Sequence, residues 1–175
     1  MIIFRDMEKN DAAKIGEIDR SERIEFTYRM NDKGLEVVNN PHDCPNWQVQ
    51  DVEWIKDRTI YEIVNGGRAI GAFDEHRLVG FGVSAHKLRG RNNDQLQIVL
   101  MYVSNQYRRR GIGTAIMNML SNEAAQRGAK YLYISSTETE SAYNFYRSCG
   151  SEITDDVDEE LFDLEPNDIH MLKKL

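Results

Sequence analysis

Cysteine is scarce in this chain of 175 residues: only Cys44 and Cys149 carry thiols, far apart and without CxxC or paired metal-ligand spacing. That argues against a disulfide framework or a cysteine zinc site and reads as reduced thiols of a cytoplasmic protein. Positive charge is the minority, with 22 Lys and Arg against 29 Asp and Glu for a net charge of -7. A general nucleic-acid or anionic-membrane binder is therefore disfavoured by long-range electrostatics. No apolar run reaches spanning length, and the start, MIIFRDMEKND, turns polar after four residues, too soon for a signal-peptide core. Internal repeats and low-complexity linkers are also lacking. The expectation is a single cytoplasmic domain over residues 1–175, with neither nucleic acid nor membrane as partner, able to bury roughly 70% of its unfolded surface.

What is present begins with a short apolar segment, MIIFRDM, which reads as an edge strand. Ala12, Ile15, Ile18, Ile24 and Tyr28 then recur near helical spacing, so one or two helices are expected between residues 10 and 30. From Asn31 to Gln50 the pattern weakens; Gly34, Asn39, Asn40, Pro41 and Pro45 mark turns around a short strand at LEVV. Val52, Ile55, Ile60 and Ile63 resume a helix that the Gly66-Gly67 pair stops. RAIGAFD and RLVGFGVSAHKL, separated by a turn at EH, read as an antiparallel hairpin. LQIVLMYVS becomes almost wholly apolar, as a strand buried on both faces does. Further on, YLYISS reads as a strand and ETESAYNFYRSCG as a helix ending at Gly150; after an acidic segment, IHMLKKL reads as a last strand. The order gives a mixed α/β sheet with helices on its faces.

The run RRRGIG, Arg108 to Gly113, follows the buried strand and opens a helix whose inward stripe is Ile112, Ala115, Ile116, Met119 and Leu120. Free backbone N–H groups at such a start, with the helix dipole, attract an anion. Gly111 and Gly113 remove the Cβ atoms that would keep a phosphate from the backbone, and arginines add charge-assisted contacts. A tight turn carrying a solvated basic patch is the bland alternative. Two nucleotide signatures fail: no lysine follows Gly113 as a Walker A loop needs, and Ile116 stands where the dinucleotide fingerprint needs its third glycine or alanine.

With that helix start, the chain resembles the GCN5-related N-acetyltransferases, whose R/Q-x-x-G-x-G/A motif is matched by Arg108-Arg109-Arg110-Gly111-Ile112-Gly113. Their downstream helix carries N-x-x-A-x-x-x-Y-x-x-x-G-F, and Ala142, Tyr146 and Gly150 stand at the matching positions. The resemblance implies an α/β fold whose mostly antiparallel central sheet splays at the cofactor site, with helices on both faces. It implies an acetyl-CoA-dependent N-acetyltransferase, acetyl-CoA being the acetyl donor. Amides of Arg109, Arg110, Gly111, Ile112, Gly113 and Thr114 would hold the coenzyme A pyrophosphate, with the side-chain fork of Arg108 beside them. Backbone of Met101 and Val103 would pair with the pantetheine arm like an added strand, and the Val103 N–H could stabilise an oxyanion. Tyr146 would protonate the departing thiolate.

Three positions depart from the family pattern. Thr139 replaces the motif's asparagine and offers the pantetheine a hydroxyl instead of an amide; Ser151 replaces its terminal phenylalanine; Gln97 stands where some members carry a strand glutamate as general base. An alkylammonium of pKa about 10 must still lose a proton before it attacks. Candidates lie in the expected N-terminal helices, at Asp19, Glu22 and Glu25, with Tyr28 as an aromatic wall; Glu138 and Glu140 could cup a cationic acceptor. Acidic helix residues more often form a solvated face. His170 is a lesser candidate for the base, and the contiguous His42, Asp43 and Cys44 lack zinc-site spacing, so no metal is expected. The favoured acceptor is a small cationic amine attacking directly in a ternary complex. A non-catalytic acyl-CoA sensor or partner-binding module on the same fold is the alternative that Gln97, Thr139 and Ser151 keep open. Oligomeric state stays open too, a homodimer being one option.

Overall fold

Nine strands and four α-helices follow one another in the computed structural model, which describes residues 1–175. In chain order they are β1 (Ile2–Asp6), β2 (Glu22–Asn31), β3 (Gly34–Cys44), α1 (Val49–Asn65), β4 (Arg68–Asp74), β5 (Arg77–Arg89) and β6 (Gln95–Val103). Then come α2 (Ile112–Gln126), β7 (Tyr131–Ser136), α3 (Glu140–Ser148), β8 (Ser151–Ile153), α4 (Glu159–Leu164) and β9 (Ile169–Lys174). Seven strands build one sheet in the order β1-β4-β5-β6-β7-β9-β8, and β2 with β3 forms a separate ribbon. Every neighbouring pair in the large sheet is antiparallel except β6 with β7.

Strands in the middle of the sheet are covered twice, which is why their sequences read as near-continuous apolar runs. On one face Ile70, Val79, Leu96, Ile98, Leu132 and Ile134 pack with the α2 stripe Ile112, Ile116, Met117 and Leu120. On the other face Phe73, Leu78, Phe81 and Val83 meet Ile55 of α1 and Ile15 and Ile18 of the N-terminal segment. The helix ends follow from local chemistry. Gln48 and Asp51 form a reciprocal capping box at the start of α1, and Gly66 closes it in the left-handed region at φ 99°.

The first half departs from the expected helices. Lys9–Glu17 is a 3-10 segment, and β2 occupies the stretch read as a second helix. Its Ile24, Phe26, Tyr28 and Met30 alternate with Arg23, Glu25, Thr27 and Arg29, a period of two that β-rich residues sustain once a partner strand is present. That partner, β3, runs for 11 residues, far beyond LEVV. Mostly exposed, it shows no buried stripe, and Pro41 is tolerated because the strand is an edge. The acidic C-terminal segment holds α4, too short for a periodic signal; the Asp158 side chain caps it by accepting the Leu161 N–H at 3.1 Å. No helix is long and apolar enough to cross a membrane.

Candidate functional site

The sheet opens where β6 and β7 part. Their parallel pairing runs from Gln95 opposite Tyr131 to Ile98 opposite Ile134 and goes no further. At that point Val99 is an extra residue against β5, lying between the Val83–Leu100 and Ser84–Ile98 pairs. A bulge of this kind bends its strand and shifts which face the following side chains take. Val99–Val103 and Ser135–Thr137 therefore bound a wedge in which the β6 edge, including Met101 and Val103, has no β7 partner.

Directly after β6 the chain makes a short 3-10 turn over Asn105–Tyr107 and enters α2 through two left-handed residues, Arg109 at φ 59° and Gly111 at φ 78°. Left-handed geometry is costly with a Cβ and easy for glycine, so Gly111 is the natural N-cap of this helix. The turn leaves the N–H groups of Arg109, Arg110, Gly111, Ile112, Gly113 and Thr114 without an acceptor anywhere in the chain; the helix ladder begins only at Ala115, which donates to the Gly111 carbonyl at 3.0 Å. Six consecutive free donors at a helix start make a concave anion site. Close packing sets its position: a Cβ on Gly82 would lie 2.6 Å from Ile116 Cγ2, so only glycine there lets α2 lie this close to β5.

Arg108 does not point its fork into that cradle. Its Nη1 donates to Glu22 at 2.6 Å, Nη2 to the Arg20 carbonyl at 2.9 Å, and Nε to the Val103 carbonyl at 3.1 Å. Glu22 in turn accepts from the Ser141 hydroxyl at 2.9 Å. The guanidinium thus ties the anion loop to β2 and to the start of α3, while Arg109 and Arg110 remain exposed beside the free amides. Thr139 is likewise committed. Its hydroxyl caps α3 by accepting the Ala142 N–H at 3.4 Å, and its backbone forms an isolated antiparallel bridge with Thr27 of β2.

The four acceptor-side candidates separate. Asp19 accepts from the Ser21 hydroxyl and amide, which hold its carboxyl below its ordinary range; its backbone is pinned to Ser104 and Asn105, so it is an anchor and a poor proton acceptor. Glu25 is exposed and paired with Arg23. Glu22 and Tyr28 do approach the start of α3, Glu22 through Arg108 and Ser141, Tyr28 by packing on Tyr143 with ring centroids 4.6 Å apart. His170 is buried with Nδ1 2.7 Å from the Tyr133 hydroxyl, and burial pushes its imidazole down toward the neutral form.

Tyr146 lies near the end of α3, its ring against Phe145. Its hydroxyl has no hydrogen-bond partner in the chain; burial above all, then Tyr102, Cys149 and Asp168 nearby, push the phenol well above its ordinary value. Asp168 gave no signal in the sequence, sitting in the polar stretch LEPND with neither motif nor periodicity. It accepts from the Ser135 hydroxyl at 2.7 Å at the point where β7 leaves β6. Burial raises its carboxyl to about 6, opposed by the Ser135 hydrogen bond and reinforced by Glu165 and Glu138.

Comparison with known proteins agrees with this geometry. The sequence model described as the acetyltransferase (GNAT) family matches residues 35–151. No curated protein matches the chain in sequence. Among solved structures, a nourseothricin acetyltransferase is 21% identical with a TM-score of 0.72, covering 99% of this chain and 98% of its own. A protein assigned as a streptothricin acetyltransferase from Bacillus anthracis, in complex with acetyl coenzyme A, is 17% identical with a TM-score of 0.73, covering 100% and 99%. The PaiA N-acetyltransferase from Thermoplasma acidophilum, in complex with coenzyme A, is 17% identical at a TM-score of 0.66, covering 100% and 99%. At such identities these structures establish the shared fold, and with the family match over two thirds of the sequence the conclusion is that this chain belongs to the acetyltransferase (GNAT) family.

Proposed function

We propose that the chain transfers the acetyl group of acetyl-CoA to a primary amine of a small cationic molecule, by direct attack in a ternary complex. The observation that carries this reading is the row of six unpaired amides at the start of α2, next to the wedge between β6 and β7. A coenzyme A pyrophosphate fits that row: the position of a Cβ on Gly111 has no atom within 4 Å, so the cradle is open to a bulky anion. Acetyl-CoA supplies an acetyl thioester activated for attack. Met101 offers strand edge that β7 leaves unpaired to the pantetheine, and the Val103 N–H, whose own carbonyl is taken by Arg108, is the candidate donor to the acetyl carbonyl oxygen. Arg108 contributes by fixing the loop, and Arg109 and Arg110 by charge.

Direct attack is favoured over a covalent acyl-enzyme by the state of Cys149. Burial pushes its thiol up, the reverse of what an activated nucleophile requires. A cationic acceptor is favoured by the acidic groups near the wedge, Glu138, Glu165 and Asp168. The neighbours that bear the names of streptothricin and nourseothricin acetyltransferases point the same way, although they speak for their own substrates.

At a hundred times its dissociation constant, acetyl-CoA should stabilise the fold by about 2.7 kcal/mol. For a domain of this size that raises the melting temperature by about 5–10 °C in a thermal-shift assay. No shift at saturation would sink the coenzyme A reading. Thiol release from acetyl-CoA with streptothricin, kanamycin, spermidine and lysine then separates the enzyme from a sensor. A shift without amine-dependent release would favour the sensor.

A further inference from the structure

We propose that Asp168, held by Ser135 at the mouth of the wedge, receives the acceptor's ammonium group and takes the proton that frees the amine for attack. The inference rests on the acetyltransferase reading and assigns its proton acceptor.

Three placements support it. Along β6 and β7, Leu96, Ile98, Leu132 and Ile134 pack under α2, so the side chains of Gln97, Tyr133 and Ser135 stand on the opposite face. Past the Val99 bulge, Tyr102 joins that second face, packing on Phe81 and edge-on to Trp47. Asp168 reaches Ser135 there, so it lies across the open sheet from the free amides of α2. An amine arriving on the Asp168 side and an acetyl group carried from the α2 side would meet in the wedge.

The second placement is an unsatisfied atom. Gln97 is 7% exposed and its Oε1 has no hydrogen-bond partner, on the same face and one pleat before β6 and β7 separate. A buried acceptor left unpaired has lost its water without a replacement, which costs stability. A donor supplied by the acceptor molecule, such as an ammonium N–H, would remove that cost. A carboxamide can receive this hydrogen bond but cannot take the proton; Asp168, pinned by Ser135 where β7 leaves β6, can.

The third is the charge around Asp168. From β7 Ser135 faces it as a donor; Glu138 from the β7–α3 loop and Glu165 after α4 add negative charge; Tyr102 of β6 and Tyr146 of α3 feel its charge in turn. The charged groups that act on it most are carboxylates, so an incoming ammonium meets negative charge there. Burial and these neighbours place its carboxyl at about 6, high for an aspartate yet mostly ionised at neutral pH.

Proton accounting closes. The ammonium gives one proton to Asp168; the free amine attacks the acetyl carbonyl, the C–N bond forms and the C–S bond breaks. Tyr146 donates a proton to the sulfur, the new amide nitrogen sheds its extra proton to restore the phenol, and Asp168 releases its own to solvent.

The test uses the full-length protein and whichever amine of streptothricin, kanamycin, spermidine and lysine gives the fastest thiol release. In the parent, kcat/KM for the amine should fall as pH drops through about 6, because protonation disables Asp168. Asp168→Asn should lower kcat/KM by about a hundredfold or more and flatten that limb, while keeping the acetyl-CoA melting shift that shows it is folded. Ser135→Ala removes the hydrogen bond that opposes the shift, so its limb should move to higher pH. An Asp168→Asn enzyme with its acidic limb intact and its rate within about threefold of the parent would overturn the assignment while leaving the acetyltransferase reading standing. A parent that releases no thiol with any amine would instead remove that reading, and this one with it.

Discussion

Tyr146→Phe is expected to lower kcat for acetyl transfer by about a hundredfold while changing acetyl-CoA affinity little. The substitution deletes one oxygen and keeps the ring that packs on Phe145, so α3 should retain its place. What disappears is the hydroxyl of a half-buried ring, whose hydrogen-bonding capacity is unspent within the chain. Burial and the neighbouring Tyr102, Cys149 and Asp168 hold the phenol above its ordinary value, so it stays protonated throughout the working range. A proton kept that firmly is useful where sulfur gains negative charge in the transition state. The hydrogen bond then strengthens as the C–S bond breaks and contributes little to ground-state binding. The loss should consequently be similar across neutral and mildly alkaline pH, unlike the loss at Asp168, which concerns a carboxyl that titrates near 6. Steady-state kinetics with the best acceptor, paired with a thermal-shift titration of acetyl-CoA, tests this. An unchanged kcat would remove Tyr146 from the chemistry, and a collapsed affinity with kcat preserved would make it a binding residue only.

The parts of this fold legible in the sequence are those where burial imposes a pattern. β4, β5 and β6 are covered on both faces and read correctly from their own letters; α2 reads as a helix, but Met117 is buried in its stripe where the spacing predicts Ala115 and Met119, which are only partly buried. The stretch from 10 to 30 misleads because Ile15 belongs to a 3-10 segment, Ile18 is the extended residue that ends it, and Ile24 and Tyr28 belong to a strand; their combined spacing imitates one helix. β3 escapes because a mostly exposed edge strand has no face to mark. The anion loop is legible at the level of its backbone, since Gly111 dictates the left-handed turn. Its side chains are another matter: the Arg108 fork goes to Glu22, 86 residues away in sequence. Asp168 depends in the same way on Ser135, 33 residues earlier, and on a loss of water that no local pattern encodes.

Long-range pairing of this kind also predicts where the scaffold is most easily broken. Glu62 of α1 is fully buried, with Arg58 Nη2 2.7 Å from one oxygen and the His86 N–H and Nδ1 at 2.8 and 2.6 Å from the other. It therefore joins the last turns of α1 to the far end of β5, on the face away from α2. Glu62→Ala would leave the partly exposed Arg58 and His86 to find water, strand the His86 amide, and open space under the helix. Removing one partner of such a pair costs about 3–5 kcal/mol, with the lower end expected here because both partners can rehydrate in part. For a domain of this length that corresponds to a melting temperature lower by about 6–12 °C. Glu62→Gln keeps the side-chain volume and an oxygen for the His86 N–H, so it should recover part of the loss. Because Glu62 lies across the sheet from the free amides, both variants should keep the upward shift with acetyl-CoA, measured from their own lower baselines. An alanine variant that melts within about 2 °C of the parent would show that this carboxylate's desolvation cancels what its partners return.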